Sequence, residues 1–247
     1  MYRRAILCLI FALLFGVPSV KAADPINHKR LFYVGLALYS EAWSENDVVA
    51  LSDVLQQNAD FDVVPLIASN MIGSRAHFPV ADNATIASLV RNAVSRAGPD
   101  DIVVVHISTH GGPGILASRI GNRPTTTISG RGLAANLSAL AGHANVVILS
   151  ACYSGSLIGA LRAPNRIIIT AARSDRSSFG CAAEAQHTFF GTAELEGFAE
   201  PHRSLKDVFA AIRANVARME REEDDTPSEP QVFVGAAVKG LYEAPVF

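Results

Sequence analysis

Four stretches of this chain are near-continuous apolar runs: "RLFYVGLALY" (30–39), "DIVVVHIST" (101–109), "NVVILS" (145–150) and "RIIIT" (166–170). A strand with one wet face alternates apolar and polar residues. A strand apolar along its whole length must be covered on both faces, as in a parallel sheet whose crossovers are helices. The segments between the runs have helical spacing. Residues 44–57 place Val48, Leu51, Val54 and Leu55 on one face, with Ser44 expected as N-cap and Asp47 in the first turn. Residues 82–98 place Ile86, Leu89, Val90 and Val94 on one face and end at Gly98, an expected C-cap.

The remaining elements follow the same reading. "FDVVPLI" (61–67) is a second strand, weakened by Pro65, and "PQVFVG" (230–235) a last one. Residues 111–128 are rich in glycine and threonine and read as a loop or small hairpin. Helices are expected over 130–141 and, long and amphipathic, over 204–222. The "EREEDD" run (220–225) reads as a solvated helix end and linker. The expected class is α/β, with a largely parallel sheet and helices on both faces. Sites in such sheets form at the carboxyl ends of the strands.

The chain begins with Arg3 and Arg4, an apolar stretch from Ala5 to Val17, and then Val20-x-Ala22. That is the layout of a secretory signal peptide, with cleavage expected before Ala23. The apolar stretch is short for a membrane span of about 20 residues. Cys8 falls within this leader, and Ala5, Ile6 and Leu7 are not the small residues that precede a lipidated cysteine. Residues 1–22 are thus expected as the leader and 23–247 as a single domain, large enough for a sizeable core. The formal charge of −2 and the lack of a basic run point away from nucleic acid. Beyond the leader the expected location is secreted or periplasmic, with no membrane association and the oligomeric state open.

Chemistry concentrates at two strand ends. Cys152 follows the run 145–150, and His110 follows the run 101–109. If those strands are neighbours, both side chains share one rim. A thiolate is the nucleophile, and a histidine within reach takes its proton. A helix expected to begin near Ser154 would place its positive end by the sulfur. Gly111 and Gly112 permit close backbone approach, and the N–H groups of Gly111 and Cys152 could receive an oxyanion. Local sequence leaves other readings of Cys152 open: an inert buried thiol, or a disulfide with Cys181. His106 reads as a buried, hydrogen-bonded core histidine, since no third ligand accompanies His106 and His110. The Gly-x-Ser-x-Gly pattern is absent around Ser154. Thiol–imidazole chemistry needs no cofactor, and none is expected.

"STHGG", "SACYSGS" and "TAARSDRSSFGC", in that order, resemble the C13 cysteine peptidases, the legumain-like family, and most of all its bacterial exported members. The resemblance spans most of residues 30–236. It implies a caspase-like fold, a largely parallel six-stranded sheet flanked by helices. It implies a Cys–His dyad at Cys152 and His110, with the oxyanion held by the backbone of Gly111 and Cys152. It implies an endopeptidase that acts on protein or peptide substrates through a thioester, or a transpeptidase if an amine resolves that thioester. The substrate-binding positions implied are Ser150, Ser177, Ser178 and Thr192. The acidic residues that read asparagine in legumains are replaced here by Ser150 and Thr192, and the basic one has no match in "SEAWSEND" (40–47). Asparagine preference is not expected for that reason. Arg173, Asp175 and Arg176 are either alternative pocket charges or exposed loop residues. The eroded pocket also leaves a reading from another class, a catalytically silent caspase-like binding module.

Overall fold

The computed structural model describes residues 29–57, 61–74 and 76–247. The expected leader lies outside the described residues. The first strand, β1 (Lys29–Ala37), is followed by α1 (Ala42–Gln56), β2 (Phe61–Ser69), α2 (Asn83–Arg96) and β3 (Ile102–Ser108). Three short strands come next, β4 (Gly111–Gly112), β5 (Ile115–Ser118) and β6 (Thr126–Ser129), then α3 (Gly130–Asn136). The chain continues through β7 (Asn145–Ser150), α4 (Ile158–Leu161), β8 (Arg166–Thr170), α5 (Phe189–Phe198), α6 (Leu205–Glu222), β9 (Gln231–Val234) and α7 (Lys239–Glu243).

Six strands form the central sheet in the order β2-β1-β3-β7-β8-β9. All neighbours are parallel except β8 and β9, which are antiparallel. The period of two in a strand then divides the core. Phe32, Val34, Val103, Val105, Val147 and Leu149 pack with Ile86 and Val90 of α2 and Leu133 of α3. Leu31, Tyr33, Val104, Val146, Ile148 and Ile169 pack on the other face with Leu51 of α1, Phe190 of α5 and Val208 and Ile212 of α6. Each such side chain contributes roughly 1.5–3 kcal/mol on burial, so these two layers supply most of the driving force for the fold. Pro65 is tolerated because β2 is an edge strand.

Several local expectations change. The N-cap of α1 is Glu41, two residues after the apolar run 30–39 ends at Tyr39. Ser44 lies inside the helix, where its hydroxyl donates 2.6 Å to the carbonyl of Ser108. Helix α2 starts as expected, with Asp82 accepting from the Thr85 N–H. It ends on extended Ala97, and the Gly98 N–H donates to the Asp101 carboxylate instead of closing a left-handed cap. Asp101 also accepts from the Arg30 backbone and guanidinium. Burial opposes its ionisation, but these donors outweigh it and hold the carboxyl below its usual range. Glu220 in the acidic run is buried, and its carboxylate accepts from the Ser228 N–H at 2.9 Å. That part of the run is a structural anchor rather than a solvated end.

Candidate active site

The paired register of β3 and β7 settles where His110 and Cys152 lie. Ser108 lies opposite Ser150, and the Thr109 N–H donates 3.0 Å to the Ser150 carbonyl. His110 and Cys152 therefore leave neighbouring strands two residues past the same rung, at the carboxyl rim. Gly111 packs directly on the Cys152 backbone. A Cβ at Gly111 would stand 2.3 Å from the Cys152 carbonyl oxygen, so only glycine allows this approach.

After Cys152 the chain turns sharply. Tyr153 adopts a left-handed conformation (φ 56°), and its N–H donates 2.8 Å to the Arg176 carbonyl. The expected helix arrives as a 3₁₀ turn over Ser154–Leu157 followed by the four-residue α4. So short an element has little dipole to offer the sulfur. The turn instead brings the loop containing Ser177 and Ser178 over the thiol. The Ser178 N–H donates to Sγ at 3.3 Å, Sγ lies 3.4 Å from the Ser178 carbonyl, and the Ser178 hydroxyl is 3.7 Å away. The hydrogen bonds of the thiol thus go to Ser178, not to His110. Cys152 and Cys181 are both free. Burial pushes the Cys181 thiol up, and the nearby Cys152 and Glu41 push it in the same direction.

His110 stands in a cage built by the end of β1. Its ring meets Tyr39 edge-on with centroids 4.5 Å apart, and Trp43 likewise at 5.0 Å. Its Nε2 is 3.4 Å from Oε2 of Glu41. The same oxygen accepts from the Trp43 indole N–H at 2.8 Å, and Oε1 accepts from Arg119 at 3.1 Å. Glu41, Trp43 and Arg119 were not foreseen. The signal was present as the alternation Tyr39, Glu41, Trp43, but it becomes meaningful only once His110 is seen to sit over it.

A second polar cluster lies under the rim. Asp47 is fully buried, and each of its carboxylate oxygens accepts hydrogen bonds. Oδ1 accepts from His187 Nδ1 at 3.0 Å and the Thr188 N–H at 3.3 Å. Oδ2 accepts from the Thr188 hydroxyl at 2.8 Å and the Ser108 hydroxyl at 3.1 Å. Since the Thr188 proton goes to Asp47, its oxygen is left to accept from Ser150 at 3.3 Å and from the Gly191 N–H at 2.8 Å. Ser150 is therefore engaged below the rim, two residues before Cys152, and 2% exposed. Thr192 sits in the first turn of α5, its N–H donating to the Thr188 carbonyl. His106 behaves as expected. It is fully buried, with Nδ1 at 2.8 Å from the Tyr33 hydroxyl and Nε2 3.3 Å from Glu194 Oε2, without hydrogen-bond alignment there. Burial raises the Glu194 carboxyl, an effect His106 opposes.

The loop charges pair with one another. Arg173 binds both oxygens of Asp175 and also Glu229, and Arg176 lies 3.9 Å from Glu229. They read as a surface network that staples the loop to the segment before β9.

The sheet order, the helices on both faces and the rim site define a caspase-like α/β protein. Caspase-1 from Spodoptera frugiperda shares this architecture with a TM-score of 0.57 at 17% identity, over 87% of this chain and 94% of that one. The chain belongs to the Peptidase C13 family, whose model matches residues 69–240. No curated protein matches it by sequence. Family and fold together support a cysteine-peptidase function.

Proposed function

We propose that the protein is an exported cysteine endopeptidase in which Cys152 is the nucleophile and His110 the general base and acid. The observation that carries this reading is the rung shared by β3 and β7, which sets both side chains on one rim with Gly111 against the Cys152 backbone. The Cys152 sulfur attacks the scissile carbonyl carbon as His110 takes the thiol proton. The N–H groups of Gly111 and Cys152 receive the developing oxyanion. The carbon–nitrogen bond breaks, His110 returns its proton to the leaving amine, and a thioester remains. Water then attacks the thioester while His110 takes a proton from it. The carbon–sulfur bond breaks, the acid is released and the thiol is restored. An amine in place of water would make a new peptide bond by the same steps.

Ser178, already in contact with the sulfur, is the residue set to border the bound substrate next to the scissile bond, with Ser177 beside it. Ser150 contributes through Thr188 rather than by direct exposure.

The test is a peptide-library assay on protein beginning at Ala23, with Cys152→Ala in parallel under reducing conditions. Cleavage lost in the variant supports the reading and reports the accepted residue. Cleavage retained in Cys152→Ala overturns it. Export is checked separately: protein recovered from outside the cytoplasm should begin at Ala23.

A further inference from the structure

We propose that Ile72 and Val80, in the connection between β2 and α2, receive the part of the substrate that follows the scissile bond, and that they select peptides with an apolar side chain at the third or fourth position beyond that bond. This inference rests on the peptidase reading of Cys152 and His110.

The direction of the substrate follows from the order of the sheet. Ser178 comes after β8, Cys152 after β7, His110 after β3, Tyr39 after β1 and Ile72 after β2, and these strands are neighbours in that order. The five positions therefore form a row along the carboxyl rim. The Cys152 sulfur lies against Ser178 on one side, and the His110 ring lies against Tyr39 on the other. In the proposed reaction His110 gives its proton to the leaving amine. The chain attached to that amine then runs over the end of β1 toward β2. Its floor is partly exposed Tyr39 and Arg119, whose backbones form a bridge and whose side chains stack with the guanidinium 4.2 Å over the ring. Neighbouring strands are about 4.8 Å apart, so β7 to β2 is about 14 Å, which an extended peptide covers in about four residues.

At the end of that path stand Ile72 and Val80. Among the described residues they are the large apolar side chains that are exposed, at 65% and 42%. Scattered exposed apolar residues need no explanation, but these two share one connection on the rim that carries Cys152 and His110. Their backbone is firmly held. Asn70 is buried and spends all its polar groups on this region. Its N–H donates 2.8 Å to the Ala37 carbonyl, and its carbonyl accepts from the Gly121 N–H at 3.1 Å. Its side-chain amide donates to the Leu38 carbonyl at 2.8 Å and the Ser118 hydroxyl at 3.2 Å, while Oδ1 accepts from the Ala81 N–H at 3.0 Å. The Ser69 N–H donates 2.9 Å to the Pro79 carbonyl, so both neighbours of Val80 are tied down. Ile72 lies over Gly121 in the turn between β5 and β6, where a Cβ would stand 1.9 Å from its Cδ1. Side chains fixed in advance lose little freedom on contact, so burying an apolar partner against them favours binding. A polar side chain placed there would lose water against hydrocarbon.

The test uses peptides that share one cleavable sequence through the first residue after the scissile bond and carry either leucine or serine at the third and fourth positions beyond it. The pair differs in apolar surface and not in charge, so Arg119 does not bias it. Protein beginning at Ala23 should cleave the leucine peptide with kcat/KM about 10-fold above the serine peptide. Ile72→Ser should bring that ratio to within about twofold, Ile72→Leu should keep it, and Val80→Ser should give a value between. A peptide that stops at the first residue after the bond serves as control. If Ile72→Ser slows the control as much as the leucine peptide, the residue acts through the fold and the inference falls. If wild-type protein cuts both peptides equally well, or Ile72→Ser keeps the wild-type ratio, the inference falls and the peptidase reading stands. If Ile72→Ser keeps the ratio but lowers the mass seen by light scattering, the pair of side chains joins two copies of the chain and the inference falls. If the wild type cuts no peptide and its Cys152 labels no faster than Cys181 with iodoacetamide at about pH 6, both readings fall together.

Discussion

Two polar clusters lie within a few residues of each other at the rim of the same sheet, and they are built on opposite principles. Around His110, the histidine and Glu41 are partly exposed, aromatic edges set the geometry, and the carboxylate contacts three different donors. Around Asp47, the carboxylate, Ser108 and Thr188 are buried, His187 is partly exposed, and both carboxylate oxygens already accept hydrogen bonds. In the proposed reaction, the first cluster exchanges a proton with the substrate. In the second, both Asp47 oxygens are already taken, so its carboxylate is spent on structure. It joins α1 to β3 and to the start of α5, and so holds the platform on which the first cluster stands. Polarity near a catalytic rim is therefore not enough to mark a catalytic residue. Access and unspent hydrogen-bonding capacity make the difference.

The sharpest way to break this contrast is to remove the buried carboxylate. Asp47→Ala leaves Ser108, Thr188 and His187 without their acceptor, at a cost of about 3–5 kcal/mol. Thermal unfolding should show Tm lower by on the order of 10 °C. An unchanged Tm would show that the cluster is not the anchor described. His110→Ala should give the reverse pattern. The rate of peptide cleavage falls by at least about 100-fold, with Tm nearly unchanged. A large fall in Tm there would place His110 among the fold residues.

Gly191→Ala probes the same anchor more gently. The added Cβ would lie 2.2 Å from Asp47 Oδ1, so the carboxylate must shift. Urea unfolding should report a loss of about 1–3 kcal/mol, and cleavage per folded molecule should persist.

Glu194 sharpens the comparison through pH. Burial raises its carboxyl in the folded protein, so above the unfolded value of about 4.3 the native state binds more protons than the unfolded chain. Stability is then full below that value and declines as pH rises through the folded one. Glu194→Gln stays neutral and should flatten that decline in urea midpoints taken from about pH 4 to pH 7. Equal slopes in the two proteins would contradict it. Smallest of all should be Arg173→Met. It breaks the surface ion pairs with Asp175 and Glu229, and the thermal unfolding midpoint should shift by no more than about 4 °C from the wild type.

The sheet was legible because burial on both faces leaves an unmistakable mark: "VVVHI" and "NVVIL" have no wet side. The amphipathic α6 was legible for the complementary reason, since one face meets the core and the other water. Helix α5 carried no comparable mark. Phe190, Ala193, Glu194 and Phe198 are all buried, and a helix covered around much of its surface loses the periodicity that identifies it. Its Glu194 lies against His106 in the core. The inward turn of Ser150 toward Thr188 was not legible, because Thr188 lies 38 residues away along the chain.

The sequence by itself determined where the strands of the central sheet lie, that the sheet is largely parallel, and that His110 and Cys152 each follow a strand end, with glycine after the histidine. These follow from local rules: apolar runs, turn chemistry and the alternation of side chains. Which groups surround His110, and which carboxylate is spent on structure, only the tertiary structure decided. Glu41, Trp43, Arg119 and His110 come from three separate segments, as do Asp47, Ser108 and Thr188. A hydrogen bond depends on angstrom-scale distance and direction, and a linear sequence records neither until the sheet has closed the segments on each other.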